Sequence, residues 1–248
     1  MTVALPARAK LNLDLEVLSR TEDGYHEIRS TFQAIDVHDW LEIEAAEENA
    51  LIATGLELKT TTNAVVKAQR ALEDAAGRPL PARIHLHKRI PPGSGMGGAS
   101  SDAAAALIAL KRIYGLDVDL MRVARQAGSD VPFFLHGGTA LVEGRGERVT
   151  QLPDDRCGWF AIAWPRIELS TKAVYEAWDE TGGKDLRSAA ERVEPRLARF
   201  GHGLGDGWRM TGSGSAFFKR TASEAEGRKA IADVEDCWTV VAQAVGAW

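Results

Sequence analysis

The residues best suited to chemistry lie in one stretch, Pro91-Pro92-Gly93-Ser94-Gly95-Met96-Gly97-Gly98-Ala99-Ser100-Ser101-Asp102. Four glycines and three serines stand between a strand-like run, Ile84 to Ile90, and a helical run, Asp102 to Tyr114. Without a Cβ, backbone N–H groups can close on a bulky anion. The helix that follows adds unpaired N–H groups and the positive end of its dipole. Together they make a phosphate cradle. The serine hydroxyls of Ser94, Ser100 and Ser101 can bind phosphate oxygens or a metal held by them. A triphosphate site is the chemistry implied.

Other readings compete. No Gly-Lys-Ser/Thr closes the stretch, so it is not a Walker A loop. Gly93, Gly95 and Gly98 satisfy the dinucleotide spacing G-x-G-x-x-G, but a glycine-rich loop does so easily. That fold also needs a second strand after the helix, ending in an acidic residue. Here Gly115-Leu116-Asp117-Val118-Asp119 leads into another helical pattern. A plain flexible loop is the bland alternative.

Four further sets of side chains could act. Leu11 to Val17 alternates as a half-buried strand, with Leu11, Leu13, Leu15 and Val17 facing a core. Lys10 and Asn12 then share the opposite face and can reach one ligand, or form an ordinary solvated face. Tyr25 and His26 follow the turn signal Asp23-Gly24, offering a stacking face and a hydrogen-bonding edge. Asp130, in Gly128-Ser129-Asp130-Val131-Pro132-Phe133-Phe134, is either a helix N-cap or a carboxylate placed to accept a proton. His85 and His87 share a strand face, but no nearby cysteine or third histidine completes a metal site.

The elements around these residues are expected as follows. Strands run near Ile28 to Asp36 and Trp40 to Ala45. Asn63 caps a helix to Ala76, which Gly77 ends. A helix from about Asp119 to Ala127 stops at Gly128. Gly144-Arg145-Gly146-Glu147 turns between strands Thr139–Val142 and Arg148–Leu152. A strand from Trp159 to Trp164 opens a second unit, so a boundary is expected near residue 153. The second unit continues with a helix carrying Val174, Tyr175 and Trp178, and a helical run Leu186 to Phe200. A loose segment Gly201 to Gly207 comes next. A second glycine-serine loop, Met210 to Phe218, runs into a strand. A helix, Ala222 to Asp233, and a strand, Thr239 to Val245, close the chain.

Composition excludes several classes. The 248 residues carry a net charge of −5, whereas a general nucleic-acid binder is usually basic. Any attraction for phosphate must be local. No apolar run approaches the roughly 18 residues of a membrane span, and no signal peptide is visible. The two cysteines, Cys157 and Cys237, cannot make a disulfide framework and read as small buried apolar residues. A cytoplasmic setting is expected, as a monomer or weak dimer.

Three stretches together resemble the GHMP small-molecule kinases: Ala9-Lys10-Leu11-Asn12-Leu13, Pro91 to Ser101, and Thr211-Gly212-Ser213-Gly214. Their order and spacing fit that family over the whole chain. Asp23-Gly24-Tyr25-His26-Glu27 and Ser129-Asp130-Val131-Pro132 narrow the resemblance to members whose acceptor is a cytidylyl-linked methylerythritol. The resemblance implies an α+β fold in two parts. The ATP-binding N-terminal domain, 1–152, resembles domain 2 of ribosomal protein S5. The smaller domain, 153–248, is ferredoxin-like and closes a substrate cleft.

It also implies roles. Asp130 matches the catalytic base and Lys10 its partner. Asn12 helps hold the erythritol end. Tyr25 and His26 take the cytosine by stacking and hydrogen bonding, and Tyr175 falls where the second stacking aromatic belongs. Pro91, Pro92, Gly93, Ser94, Gly95, Met96, Gly97, Gly98, Ala99, Ser100 and Ser101 wrap the ATP phosphates. Mg²⁺ bridges phosphate oxygens, with the Ser101 hydroxyl as a ligand. The chain departs from the pattern in two places. Arg8 stands where the family has proline, and the segment from Gly183 to Met210 is short, without an Asn-Asp-x-Glu-like stretch. Another GHMP kinase acting on homoserine or a mevalonate-type alcohol, or a catalytically silent nucleotide-binding protein, would share part of this pattern.

Overall fold

The structure is a computed structural model, and it describes residues 1–22, 24–56, 64–154, 158–183 and 185–247. The expected Asn63 cap, the Asp23 half of the turn and Cys157 lie outside the described residues.

The first sheet is built on one long strand. Strands β1 (Thr2–Asn12) and β2 (Glu16–Arg20) precede β3 (His26–Ala45), and β4 (Ala50–Gly55) follows it. The two strands expected at 28–36 and 40–45 are therefore one, because no turn residue interrupts the alternation between them. Helix α1 (Ala64–Ala76) leads to β5 (Ala82–Lys88), which lies parallel to β4. Parallel neighbours need such a crossover. Helices α2 (Gly98–Tyr114), α3 (Leu120–Ala127) and α4 (Val131–Phe134) come next, then the hairpin β6 (Thr139–Gly144) and β7 (Arg148–Gln151). The strand order is β4-β5-β3-β6-β7, with β1 and β2 also paired to β3.

Ala103 to Ala106 are all buried where α2 meets the sheet. Alanine lets a helix approach a strand closely, and Leu72, Leu107, Leu110 and Phe133 fill the remaining space. Each such large side chain, fully removed from water, contributes about 1.5–3 kcal/mol.

The second sheet, antiparallel in the order β11-β8-β10-β9, comes wholly from residues 159–243. Its strands are β8 (Trp159–Trp164), β9 (Arg209–Met210), β10 (Phe217–Thr221) and β11 (Trp238–Gln243). Between them lie α5 (Thr171–Glu180), α6 (Leu186–Val193), α7 (Arg196–Gly203) and α8 (Glu224–Ile231). One helix was expected from Leu186 to Phe200. Glu194 is instead extended at φ −138°, and Pro195 begins a new helix that runs into the segment expected to be loose. Proline lacks the N–H the helix needs and disfavours helical backbone just before it. One face of this sheet holds α5, α6 and α7 through Ala161, Ala163, Leu197 and Phe217. Its other face packs Phe160, Ile162 and Phe218 onto Ala9, Leu11 and Ile35 of the first sheet.

That second contact positions the end of β1. Ala9, Lys10, Leu11 and Asn12 are all buried, with Ala9 and Leu11 in the layer between the sheets. A bulge in the β1–β3 pairing falls between Arg8 and Lys10. Bulges re-aim the side chains beside them. The strand stops at Asn12 rather than running to Val17, and only Leu11 of its four expected core residues is fully buried. No helix among the described residues is long and apolar enough to cross a membrane. Cys237 is half-buried, not buried.

Candidate active site

A cleft of about 820 Å³ opens between the glycine loop, the end of β1 and helix α5. Lys10, Asn12, Tyr25, His26, Asp130 and Tyr175 all line it.

The glycine loop ends in the N-terminus of α2, which begins at Gly98, four residues before the helical start expected at Asp102. Its N-cap is Gly97, which has no side chain to accept the first free amides. The helix start is therefore left open on the side where Gly97, Gly98, Ala99 and Ser100 line the cleft. Gly97 has φ +75°, and a Cβ there would sit 2.7 Å from the Phe134 ring. At Gly95 a Cβ would meet the Thr211 carbonyl at 2.3 Å. These glycines thus have a second cause beside anion access: the loop is pressed against α4 and the second glycine-serine loop. Ala216 N donates to the Ser94 carbonyl at 3.0 Å, and Ser215 N to that of Gly93 at 3.2 Å. Pro92, Met96 and Ser101 do not line the cleft. Met96 is core, and its carbonyl accepts from Lys10 N at 3.0 Å.

Lys10 joins the parts. Its ammonium donates to Asn12 Oδ1 at 2.5 Å and to the Gly95 carbonyl at 2.7 Å, and stands 3.9 Å from Asp130 Oδ2. It also lies 4.8 Å over the Phe32 ring. Burial pushes its pKa below the ordinary value, and the Asp130 charge opposes that. Asn12 is held by Thr211, whose hydroxyl accepts from Asn12 N at 3.0 Å, and donates from Nδ2 to Ser30 Oγ at 2.9 Å. Asp130 begins α4 but makes no side-chain cap hydrogen bond. Its side chain keeps 28% of its surface exposed.

The aromatic end of the cleft is arranged differently from a simple slot between two tyrosines. Tyr175 stacks on His26, centroids 4.9 Å apart and 24° between planes. Trp178 meets the same imidazole edge-on at 5.3 Å. Tyr25 is 57% exposed, and the Arg145 guanidinium lies 4.4 Å over its ring. Burial, and after it the Asp130 charge, pushes the Tyr175 phenol up to about 12.

Sequence reasoning missed several of these residues. Lys172, Glu176 and Asp179 join the expected Tyr175 on one face of α5 that lines the cleft. Their i, i+3, i+4, i+7 spacing was a readable helix face. Also missed was a buried cluster behind the loop. Lys88 Nζ bonds Asp39, and Asp102 Oδ2 at 2.7 Å, while Asp39 Oδ1 accepts from Arg89 N and Ile90 N. Both arms of the loop are tied through one ammonium. Desolvation holds the Asp102 carboxyl well above its usual range against the opposing Lys88 charge, and its Oδ1 is buried without a partner. The clue was Lys88 itself, an inward position in a strand whose other inward residues are Ala82, Ile84 and Leu86.

For magnesium, the described residues hold no group of three histidine, cysteine or acidic side chains. Mg²⁺ is commonly held by one or two carboxylates and the substrate's phosphates. The Asp130 carboxylate lines the same cleft as the open helix start, and this set fits an ion carried chiefly by phosphate oxygens. The Ser101 hydroxyl is buried under the loop, away from the cleft lining.

Residues 63–138 match the family model of the GHMP kinases N-terminal domain. The chain is 42% identical over 181 residues to a 4-diphosphocytidyl-2-C-methyl-D-erythritol kinase of Caldicellulosiruptor saccharolyticus, covering 71% of this chain. The match spans 62% of that relative's own length. With the enzyme of the same name from Methylococcus capsulatus, identity is 35% over 269 residues, covering 97% of this chain and 90% of the relative. A crystal structure of 4-(cytidine 5'-diphospho)-2C-methyl-D-erythritol kinase superposes with a TM-score of 0.80 at 33% identity, over 98% of this chain and 100% of that one.

Proposed function

Because the chain belongs to the 4-diphosphocytidyl-2-C-methyl-D-erythritol kinase family of GHMP kinases, we propose that it moves the γ-phosphoryl group of ATP to a hydroxyl of that cytidylyl-linked alcohol. The step belongs to the non-mevalonate route to isoprenoid precursors, in the cytoplasm. The observation that carries the reading is the position of Lys10. One buried ammonium reaches the phosphate loop through the Gly95 carbonyl, the substrate side through Asn12, and the Asp130 carboxylate.

Phosphoryl transfer asks a protein mainly for positioning and charge stabilisation. The open start of α2 holds the ATP phosphates by its amides and dipole. Bound magnesium supplies neutralisation of charge on the phosphate oxygens. Asp130 takes the proton of the attacking hydroxyl. The new O–P bond forms as the bond from γ-phosphorus to the β–γ bridging oxygen breaks, and ADP leaves with that electron pair. Lys10, 3.9 Å from the Asp130 carboxylate, offsets the charge that grows on the attacking oxygen.

The acceptor's cytosine occupies the aromatic end of the cleft. A base bonded edge-on to His26 lies near the imidazole plane, 24° from that of Tyr175, and continues the stack that His26 begins. Tyr25, backed by Arg145, covers the base from the exposed side. The boundary near residue 153 separates a loop-bearing unit from a unit that supplies α5 and the Thr211–Ser215 loop to the same cleft.

The direct test is phosphate transfer from radiolabelled ATP to the cytidylyl-methylerythritol acceptor. Label in the acceptor is the expected result, and label only in free phosphate would end the proposal.

A further inference from the structure

The imidazole of His26 is held by more than its stacking. His26 Nε2 lies 2.7 Å from Asp179 Oδ1, and its side chain is 7% exposed. The other Asp179 oxygen, Oδ2, is 3.3 Å from Arg20 NH1. An ionised carboxylate has no proton to give and only accepts. Nε2 of His26 must then be the donor. Tyr175 on one face and the edge of Trp178 stop the ring from turning over. In the neutral ring Nδ1 is therefore an acceptor, and it has no hydrogen-bond partner among the described residues.

We infer that Asp179 is a specificity-determining positioning residue: by fixing the tautomer of His26 it presents a bare acceptor nitrogen to the cleft, which selects a base bearing an exocyclic amine. Cytosine carries such a donor at its 4-position, and uracil carries a carbonyl acceptor there. The acceptor–acceptor pairing with uracil leaves both groups desolvated and unsatisfied, which is the strong form of discrimination. The inference rests on the proposed cytidylyl acceptor and adds the group that enforces it.

The test has two arms on the whole chain, with the ATP site filled by a non-hydrolysable ATP analogue. The first reads the ¹⁵N shifts of His26 at a pH well above the ordinary histidine range. The expected wild-type spectrum is that of a ring protonated at Nε2, and Asp179→Leu gives mixed tautomers. The second measures CDP and UDP binding by calorimetry. Wild type prefers CDP by about tenfold or more, the worth of one well-made hydrogen bond. Asp179→Leu brings the two within about threefold, roughly 0.6 kcal/mol. Asp179→Asn, whose amide oxygen still accepts, keeps most of the preference and serves if the leucine variant does not fold. A wild-type ring protonated at Nδ1, an unchanged ratio in Asp179→Leu, or no binding of either diphosphate overturns the inference. Asp179-dependent CDP preference in a chain that transfers no phosphate would leave this inference standing and remove the proposed function instead.

Discussion

Replacing Asp130 by asparagine separates chemistry from architecture. The side chain keeps its size, and no cap hydrogen bond is lost, because Asp130 makes none. What disappears is a proton acceptor and the negative charge 3.9 Å from the Lys10 ammonium. At that distance and an effective dielectric constant near 20, the pair attracts by about 4 kcal/mol. Most of this offsets the cost of burying Lys10, so it is not net stability. Exposed pairs contribute about 0–1 kcal/mol, and breaking a fully buried pair costs about 3–5. With Asp130 28% exposed, the stability loss should be about 1–3 kcal/mol, or very roughly 2–12 °C in Tm for a chain of this size. Turnover should suffer more. A lost general base lowers kcat by about 10²–10⁴, equivalent to about 2.7–5.4 kcal/mol in the barrier. The Lys10 pKa should fall further, because the neighbouring charge that raises it has gone. The assay is steady-state phosphate transfer beside a thermal melt, with KM for ATP as internal control. Turnover above about a tenth of wild type would refute the role of Asp130. So would a rate loss matched by global unfolding at the assay temperature.

Three further perturbations probe the rest of the cleft. Tyr25→Ala should weaken the cytidylyl acceptor by about 1–3 kcal/mol in KM and leave ATP unchanged, as for base–aromatic contacts; an unaltered acceptor KM rules out stacking there. Gly97→Val must adopt φ +75° with its Cβ 2.7 Å from Phe134, so equilibrium binding of a fluorescent ATP analogue should be lost; retained affinity would contradict the cradle. Asp102→Asn tests the buried cluster through pH. The Asp102 carboxyl is raised in the folded state, so its contribution is full in strong acid and fades as pH rises through that raised value. Urea melts should show the stability gap between wild type and Asp102→Asn shifting against the wild type over that rise, and a constant gap would show that the carboxyl does not titrate with folding.

Much of this site could be read before any coordinates. Lys10 and Asn12 share a face because strand alternation requires it, and the open helix start follows from glycines ahead of an alanine run. What sequence could not supply was placement between units. The face of α5 bearing Lys172, Tyr175, Glu176 and Asp179 was periodic, but nothing local said that it looks onto the first sheet. Tyr25 and Tyr175 are expected to bracket a base; that His26 stacks on Tyr175 and Arg145 lies over Tyr25 is a tertiary arrangement that no local pattern shows. The glycines of the loop had a hidden second reason, the close approach of Thr211, because that partner is more than a hundred residues away in the chain. Pro195 divides the run from Leu186 to Phe200 into two helices, since proline cannot supply the N–H that a continuous helix needs. Lys88 looked like one more polar residue in an alternating strand until Asp39 and Asp102 were seen on either side of it.

The central claim is that Lys10, Asp130 and the open start of α2 carry ATP's phosphoryl group to a cytidylyl-linked alcohol. Competition among acceptors tests it most directly: the purified chain, radiolabelled ATP, and equal concentrations of the cytidylyl-methylerythritol, homoserine and mevalonate. The account predicts label in the cytidylyl compound alone, lost in Asp130→Asn. Preferential labelling of homoserine or mevalonate, or no labelled acceptor at all, would contradict it.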